Sequence, residues 1–286
     1  MQKRRNRRRV HHTMANLLQK RLRLFLIVGA ALAVVLLLVL LRPQDQLLNT
    51  PELLSVQRVG VLRVGVRTDV PGFAQDGEGL EIAIAREIAR RIFPKAEPDV
   101  SLELVPVTAY TALPKLTSGD IDLAFAQLLG ASSSSYAYSV PYYRDSVRLV
   151  CRKGDERAGL AGGMIGMIEG SAADAAWKAY AQKQTFAAPV SFKYYASYPD
   201  LVTALKAGKL SYIAACGAQV PELLKQGLSL NETVIGAASY AAACSQENAA
   251  FAMLADTVID DMKRDGSLDA LIAQYGLTAY QAASTK

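Results

Sequence analysis

Histidine is missing from most of this chain. The 286 residues include two histidines, His11 and His12, and none follows them. Everything after residue 12 therefore lacks Ser-His and Cys-His nucleophilic pairs and the imidazole ligands of most zinc sites. Cysteine is also scarce, because Cys151, Cys216 and Cys244 are the only three and form no Cys-x-x-Cys pair. We expect at least one free thiol, burial of each cysteine, no metal site and no cofactor.

Acidic residues are missing from the first 23 positions, which hold nine lysines and arginines. The net charge of +6 for the whole chain therefore comes from a basic tail. The residues after Arg23 include 23 basic and 26 acidic side chains, a net charge of −3. A globular nucleic-acid-binding protein needs clustered positive charge on its folded part. The charge distribution thus argues against nucleic acid as a partner.

Charge is missing again from Leu24 to Leu41, LFLIVGAALAVVLLLVLL. As a helix this segment spans about 27 Å, close to the hydrocarbon thickness of a bilayer. The preceding cations predict a cytoplasmic N-terminus, and no small-x-small cleavage motif follows. We therefore predict a basic cytoplasmic tail (1–23), an uncleaved transmembrane anchor in the cytoplasmic membrane (24–41) and a polar tether (42–57). The rest of the chain is then periplasmic or extracellular.

Strand and helix patterns alternate after the tether. The valine-rich run 61–66 suits a buried strand, and LEIAIAREIARRIF has apolar residues at helical spacing. A similar unit then recurs. VSLELVPVTAYTALPKLTSGDIDLAFA (100–126) and VSFKYYASYPDLVTALKAGKLSYIAAC (190–216) both run strand, helix, glycine, strand. This order predicts two similar α/β lobes, each with a parallel-type sheet flanked by helices.

Seven motifs in register resemble one known family. In chain order they are GVLRVGVRTDVPGF, LPKLTSGDIDLAFA, SVPYY, VRLVCRKGD, IEGSAADA, LVTALKAGKLSYIAA and MKRDGSLDALIAQYG. Over about residues 58–278 the chain resembles the family 3 extracytoplasmic solute-binding proteins of polar amino-acid ABC transporters. The resemblance implies the type II periplasmic binding fold, a ligand in the cleft between the lobes, and an ABC permease as partner. It also implies lobe 1 from 58–145 plus 245–286, and lobe 2 with the hinge strands from 146–244.

The candidate ligand-binding residues lie in loops that follow predicted strands, where open α/β sheets bind ligands. They are Asp69, Phe73, Tyr110, Gln127, Ser132, Ser135, Glu169, Gly170, Ser171 and Cys216. The serine run 132–135 is either a solvated linker or a cleft loop, and its place after DIDLAFA favours the cleft. Gly170 and Ser171 begin a helix whose free N–H groups suit a carboxylate, or Ser171 caps that helix with Asp174. Phe73 and Tyr110 are either apolar walls or core.

Three charged positions that the family uses for its ligand are not kept. The arginine that binds the α-carboxylate belongs in the serine run, which has none. The aspartate for the α-amino group falls at Cys216, and a further acid falls at Ala83. The remaining hydroxyls, the Gln127 amide and the helix N-terminus favour a neutral or singly anionic polar molecule. Arg67 and Arg144 are the candidates to replace the missing guanidinium.

Three functions from different classes remain open. The first is capture of a small polar solute, amino-acid-like or an organic acid, for an ABC permease. The second is a sensor or docking module of the same fold on an inner-membrane complex, supported by the anchor and the lost charges. The third is an enzyme such as a dehydratase, for which Glu169 alone is a weak acid-base candidate. We expect the first, without enzymatic activity.

Overall fold

The computed structural model describes residues 47–97 and 99–282. The predicted basic tail (1–23) and anchor (24–41) lie outside these ranges. Within these ranges, no helix has both the length and the apolarity that crossing a bilayer requires.

The described residues form eight α-helices and nine strands. The helices are α1 (Pro51–Val59), α2 (Leu80–Ile92), α3 (Ala112–Ser118), α4 (Ala172–Ala181), α5 (Tyr198–Lys206), α6 (Val220–Lys225), α7 (Ala250–Asp265) and α8 (Ser267–Gln274). The strands are β1 (Leu62–Val66), β2 (Leu102–Pro106), β3 (Leu123–Leu129), β4 (Tyr136–Tyr138), β5 (Tyr143–Cys151), β6 (Met164–Ile168), β7 (Ser191–Tyr195), β8 (Tyr212–Cys216) and β9 (Ser229–Ser245).

Two sets of parallel strands are joined by two antiparallel ones. The sheet order is β2-β1-β3-β9-β5-β8-β6-β7, and β4 pairs with β9. Strands β1, β2 and β3 are parallel and form the first triplet, and β6, β7 and β8 are parallel and form the second. Between the triplets run β5 and β9, the crossing strands, which pair with each other in antiparallel register. This arrangement confirms the predicted α/β class.

The internal repeat produces equivalent positions in the two triplets. The segments β2–α3–β3 and β7–α5–β8 each supply an outer strand, a helix and an inner strand. Each helix is followed by a glycine with positive φ, 75° at Gly119 and 73° at Gly208. Glycine adopts this left-handed backbone without a Cβ clash, so it ends the helix and turns the chain into the inner strand.

The first helix occupies much of the segment that the sequence assigns to a tether. Residues 51–57 belong to α1, whose Leu53 and Val56 are buried and which packs against α7. Gln57 Nε2 donates to the carbonyl oxygen of Ile92, 3.3 Å away. Burial of two apolar side chains one helical turn apart explains why this stretch folds onto the body of the protein. The predicted tether is therefore shortened at its C-terminal end.

Amphipathic helices cover the first triplet. On α2, the side chains of Leu80, Ile84, Ile88 and Ile92 are buried, and the helix contacts both β1 and α7. Helices α7 and α8 contact α2, so residues 250–274 pack beside residues 80–92 although they are far apart in the sequence. The lobe boundaries at 145/146 and 244/245 fall within or beside the crossing strands, and the division into lobes remains a prediction.

Candidate functional site

The carboxyl ends of the two triplets face each other, and we call the region between them the cleft. Tyr110 follows β2, and its hydroxyl donates to the backbone oxygen of Glu169 after β6, 3.1 Å away. Arg67 follows β1 and lies near Tyr198 at the start of α5. Burial raises the pKa of Tyr198, and the charge of Arg67 partly opposes that rise. Side chains from both triplets therefore meet where parallel sheets bind ligands.

We call the side of the cleft formed by the first triplet the first wall, and the side formed by the second triplet the second wall. Arg67 provides a guanidinium on the first wall. Its Nε and Nη2 donate to the two carboxylate oxygens of Asp69 at 3.0 and 2.8 Å. Its Nη1 donates to Gln127 Oε1 at 3.3 Å. Burial acts to lower the pKa of Arg67, but the hydrogen bond and charge of Asp69, together with the nearby Glu81 and Tyr198, outweigh it and the pKa is raised. The planar fork between guanidinium and carboxylate fixes the orientation of Arg67.

A buried carboxyl lies behind Arg67. Glu81, in the first turn of α2, is fully buried, and one of its oxygens accepts the Gln127 N–H at 3.2 Å and the Tyr142 hydroxyl. Its other oxygen has no partner among the described residues. Burial raises the pKa of Glu81 to about 7, against the effect of these hydrogen bonds. Gln127 has a φ of 54°, rare for a non-glycine residue, and in this conformation it bonds both Glu81 and Arg67.

The second wall contains a neutral thiol at the end of β8. Cys216 is buried, and burial raises the pKa of its thiol to about 12, with the nearby Asp145 acting in the same direction. All three cysteines are free and buried, as expected from the sequence. The position where the sequence resemblance places an aspartate thus holds an uncharged group.

A second buried carboxyl lies on the crossing strand β5. Asp145 is fully buried, and its Oδ2 accepts the Tyr240 hydroxyl at 3.0 Å and the Ala218 N–H at 3.4 Å. Burial raises the pKa of Asp145 to about 7. Its Oδ1 has no hydrogen-bond partner among the described residues. The cleft region therefore holds two carboxyls that gain protons near neutral pH.

The serine run folds on itself. Ser132 and Ser135 are exposed in the connection between β3 and β4. Ser133 Oγ accepts the backbone N–H groups of Ser135 and Tyr136 at 3.1 and 3.2 Å. No hydrogen bond among the described residues joins Ser132 or Ser135 to the Arg67 network. β3 continues beside β9 to Leu129, so the run begins beyond the strand end rather than next to Gln127.

The two predicted aromatic walls have different positions. Phe73 is fully buried, and its ring packs edge-on against Tyr143 and Tyr240 with centroid separations of 5.3 and 5.9 Å. It is a core residue beside the crossing strands rather than a cleft surface. Tyr110 is 68% exposed and stands at the cleft rim.

The start of α4 is a capped helix terminus. Ser171 Oγ accepts the Asp174 N–H at 3.2 Å, and Asp174 Oδ2 accepts the Gly170 N–H at 3.1 Å. These bonds match the capping alternative. They also use N–H groups that the other alternative reserved for a carboxylate. The Ala173 N–H remains directed at Cys216, where it acts to lower the thiol's pKa against the larger effect of burial.

Several residues of the two walls were not among the sequence candidates. Glu81 had a usable signal, because it shares the helical stripe of Ala85, Ile88 and Ile92, where a charged residue is out of place. Asp145, Tyr198 and Tyr240 had none, since their roles depend on which elements the fold brings together.

The comparisons with known proteins agree with this architecture. The family model for bacterial extracellular solute-binding proteins, family 3, matches residues 62–278. No curated protein matches the sequence.

Three solved structures illustrate the likeness. The amino acid ABC transporter substrate-binding protein AbpA from Streptococcus pneumoniae, bound to L-arginine, has a TM-score of 0.63 and 23% identity, covering 80% of this chain and 99% of that one. A solute receptor for L-cysteine of Neisseria gonorrhoeae has a TM-score of 0.63 and 22% identity, covering 78% and 92%. A mutant of ArgBP from T. maritima has a TM-score of 0.63 and 22% identity, covering 79% and 99%.

At these identities the solved structures establish the fold, the two-lobed type II periplasmic binding architecture. The family model covers most of the chain and establishes more. This chain belongs to the bacterial extracellular solute-binding proteins of family 3.

Proposed function

We propose that this protein captures one small polar solute in the cleft and delivers it to an ABC permease. Family membership makes the chain an extracytoplasmic solute-binding protein. The observation that carries the rest is the position of Arg67, a largely buried guanidinium held between the facing carboxyl ends of the two triplets. A small anionic or polar group is what such a guanidinium recognises.

The charges of the two walls support a neutral or singly anionic solute. Arg67 is paired with Asp69, and the second wall presents the neutral thiol of Cys216 where an ammonium group would need an acid. The solved relatives include proteins bound to L-arginine and a receptor for L-cysteine. For this chain we propose an amino-acid-like molecule or an organic acid without a free, buried ammonium. We propose that the protein binds this solute without catalysing a reaction.

The proposed ligand contacts come from both walls. Arg67, Asp69, Gln127 and Tyr110 would serve on the first-triplet side. Glu169, Gly170, Ser171, Tyr198 and Cys216 would serve on the second. Lobe 1 would then comprise 58–145 plus 245–286, and lobe 2 would comprise 146–244. Contacts of α7 and α8 with α2 support this grouping.

We further propose that residues 24–41 anchor the protein in the cytoplasmic membrane, with the N-terminus inside. The apolar sequence of this segment and the nine preceding cations support the proposal. The full chain should stay in the membrane pellet after carbonate washing. A mature chain that is released and begins beyond Leu41 would show a cleaved signal instead.

Calorimetry of the full chain against the common amino acids and a panel of organic acids tests the solute proposal. We expect micromolar binding of a neutral or singly anionic solute, weakened at least about tenfold in Arg67→Gln because a charged hydrogen bond contributes roughly 1.5–3 kcal/mol. Arg157→Gln is the matched control, since Arg157 also pairs with a carboxylate, Glu232 at 2.8 Å, but on the surface. Silence toward the whole panel would favour the docking module, and binding unaffected by Arg67→Gln would contradict the site.

A further inference from the structure

Asp69 occupies the binding edge of the cleft's guanidinium. We infer that Asp69 is the specificity-determining residue of the cleft, an internal carboxylate that disfavours the binding of solutes whose own carboxylate needs the same edge of Arg67. This inference rests on the proposed function and narrows it, because it places neutral solutes ahead of anionic ones.

The hydrogen bonds of Arg67 show how much of it is used. A guanidinium has five N–H groups. Asp69 takes one on Nε and one on Nη2, and Gln127 takes one on Nη1. The side edge, Nε with Nη2, is one of the two edges that present paired N–H groups to a bidentate carboxylate, and Asp69 fills it with both oxygens. An incoming carboxylate finds only the two remaining N–H groups.

Exposure shows which partner is replaceable. The Arg67 side chain is 19% exposed, whereas that of Asp69 is 65% exposed. Asp69 therefore stands on the solvent side of a guanidinium that is mostly enclosed, where a ligand carboxylate would arrive. An exposed carboxylate is well hydrated when released, so its bond to Arg67 is a modest barrier rather than a permanent block.

The rest of the first wall does not restore positive charge. The loop 127–135 contains no lysine or arginine. The carboxyl of Glu81, behind Arg67, attracts the guanidinium rather than adding positive charge. With Asp69 in place, the wall carries no net positive charge toward a solute. The affinity for a neutral solute is not reduced by Asp69, whereas a carboxylate must displace Asp69 from Arg67 in order to bind there.

The test uses acetate and its neutral isostere acetamide as probes on the ¹⁵N-labelled full chain in micelles, at constant ionic strength. The Arg67 Nε–H resonance reports binding. In Asp69→Asn we expect the acetate concentration at half-saturation to fall at least about tenfold relative to the natural protein, because the Nε and Nη2 edge of Arg67 is no longer held by a carboxylate. The acetamide midpoint should stay the same.

Asp76→Asn is the matched control, because it removes the same charge from the same loop at an exposed residue that has no hydrogen bond to Arg67. An equal acetate gain in Asp76→Asn, or an unchanged acetate response in Asp69→Asn, including no response at all, would overturn the inference. If acetate affinity rises in Asp69→Asn as expected but no solute binds in calorimetry, the transport proposal fails, whereas the inference that Asp69 blocks Arg67 is supported.

Discussion

Two buried carboxyls, Glu81 and Asp145, distinguish this cleft at the residue scale. Each is fully buried, and each has one oxygen without a hydrogen-bond partner among the described residues. Burial raises the pKa of both to about 7. Because a protonated carboxyl is neutral, these groups accept hydrogen bonds from the Tyr142 and Tyr240 hydroxyls without adding full negative charge to the cleft.

Glu81 should make the stability of the protein depend on pH. Its pKa in the folded state, about 7, lies above the ordinary value of 4.5. The folded state therefore holds a proton more tightly, and this stabilisation is fully present below pH 4.5 and is lost as the pH rises through 7. In urea unfolding from pH 4.5 to 8, the free energy of unfolding of Glu81→Gln should rise relative to that of the natural protein, by up to about 3 kcal/mol at the alkaline end. Glu103→Gln, at an exposed strand position, should show no such trend. Parallel pH profiles for the natural protein and Glu81→Gln would contradict this account.

At the scale of elements, the segment 280–282, which follows α8, contacts the crossing strand β5. The Ala282 N–H donates to the Arg144 carbonyl at 2.9 Å, and Gln281 bridges Asp145. Tyr280 packs against the core cluster around α5, α6 and β8. The segment thus links α8, beside the first triplet, to the second triplet.

Gly217 should be intolerant of a side chain at this junction. A Cβ there would lie 2.3 Å from Tyr280 Cβ and 2.5 Å from Asp145 Oδ1, so Gly217→Ala has to displace a packed segment. We expect a loss of about 1–3 kcal/mol in the free energy of unfolding, measured in urea. Gly159→Ala is the control, because a Cβ there meets nothing within 4 Å. Equal stability of the two variants would show that the segment yields freely.

The sequence predicted elements better than it predicted the site. The repeat, the helical stripes and the glycines at 119 and 208 are local patterns, and each produced the expected strand or helix. Helix α1 escaped because only Leu53 and Val56 mark its apolar face. The burial of Phe73 depends on contacts across the fold, which local periodicity does not encode. The Arg67–Asp69 fork joins residues only two apart, but it depends on side-chain conformation in a loop, which has no periodic pattern.

At the scale of the whole molecule, the crossing strands are a continuous link between two triplets whose faces touch across the cleft. Periplasmic binding proteins close around their ligands by hinge rotation, and we expect the same of this chain. The Tyr110 hydroxyl bond to the Glu169 backbone spans the cleft from rim to rim. Since Tyr110 is 68% exposed, water competes for both partners. We therefore expect the bond to favour a closed arrangement of the two sides without locking it.

Tyr110→Phe should therefore increase the distance between the two sides of the cleft without unfolding the protein. The variant keeps the ring and removes the one hydroxyl that donates to Glu169, so the closed arrangement loses about 0.5–1 kcal/mol, a two- to fivefold change in population. Spin labels on S118C and K183C, exposed positions beside the first and second triplets, would report the separation by pulsed EPR. Tyr136→Phe is the matched control, because the Tyr136 hydroxyl bonds Thr117 at 2.8 Å on the same side of the cleft. A distance distribution that shifts to longer values in Tyr110→Phe alone would establish the cross-cleft bond as a determinant of closure. Unchanged distances, or equal widening in both variants, would show that closure is set by the crossing strands.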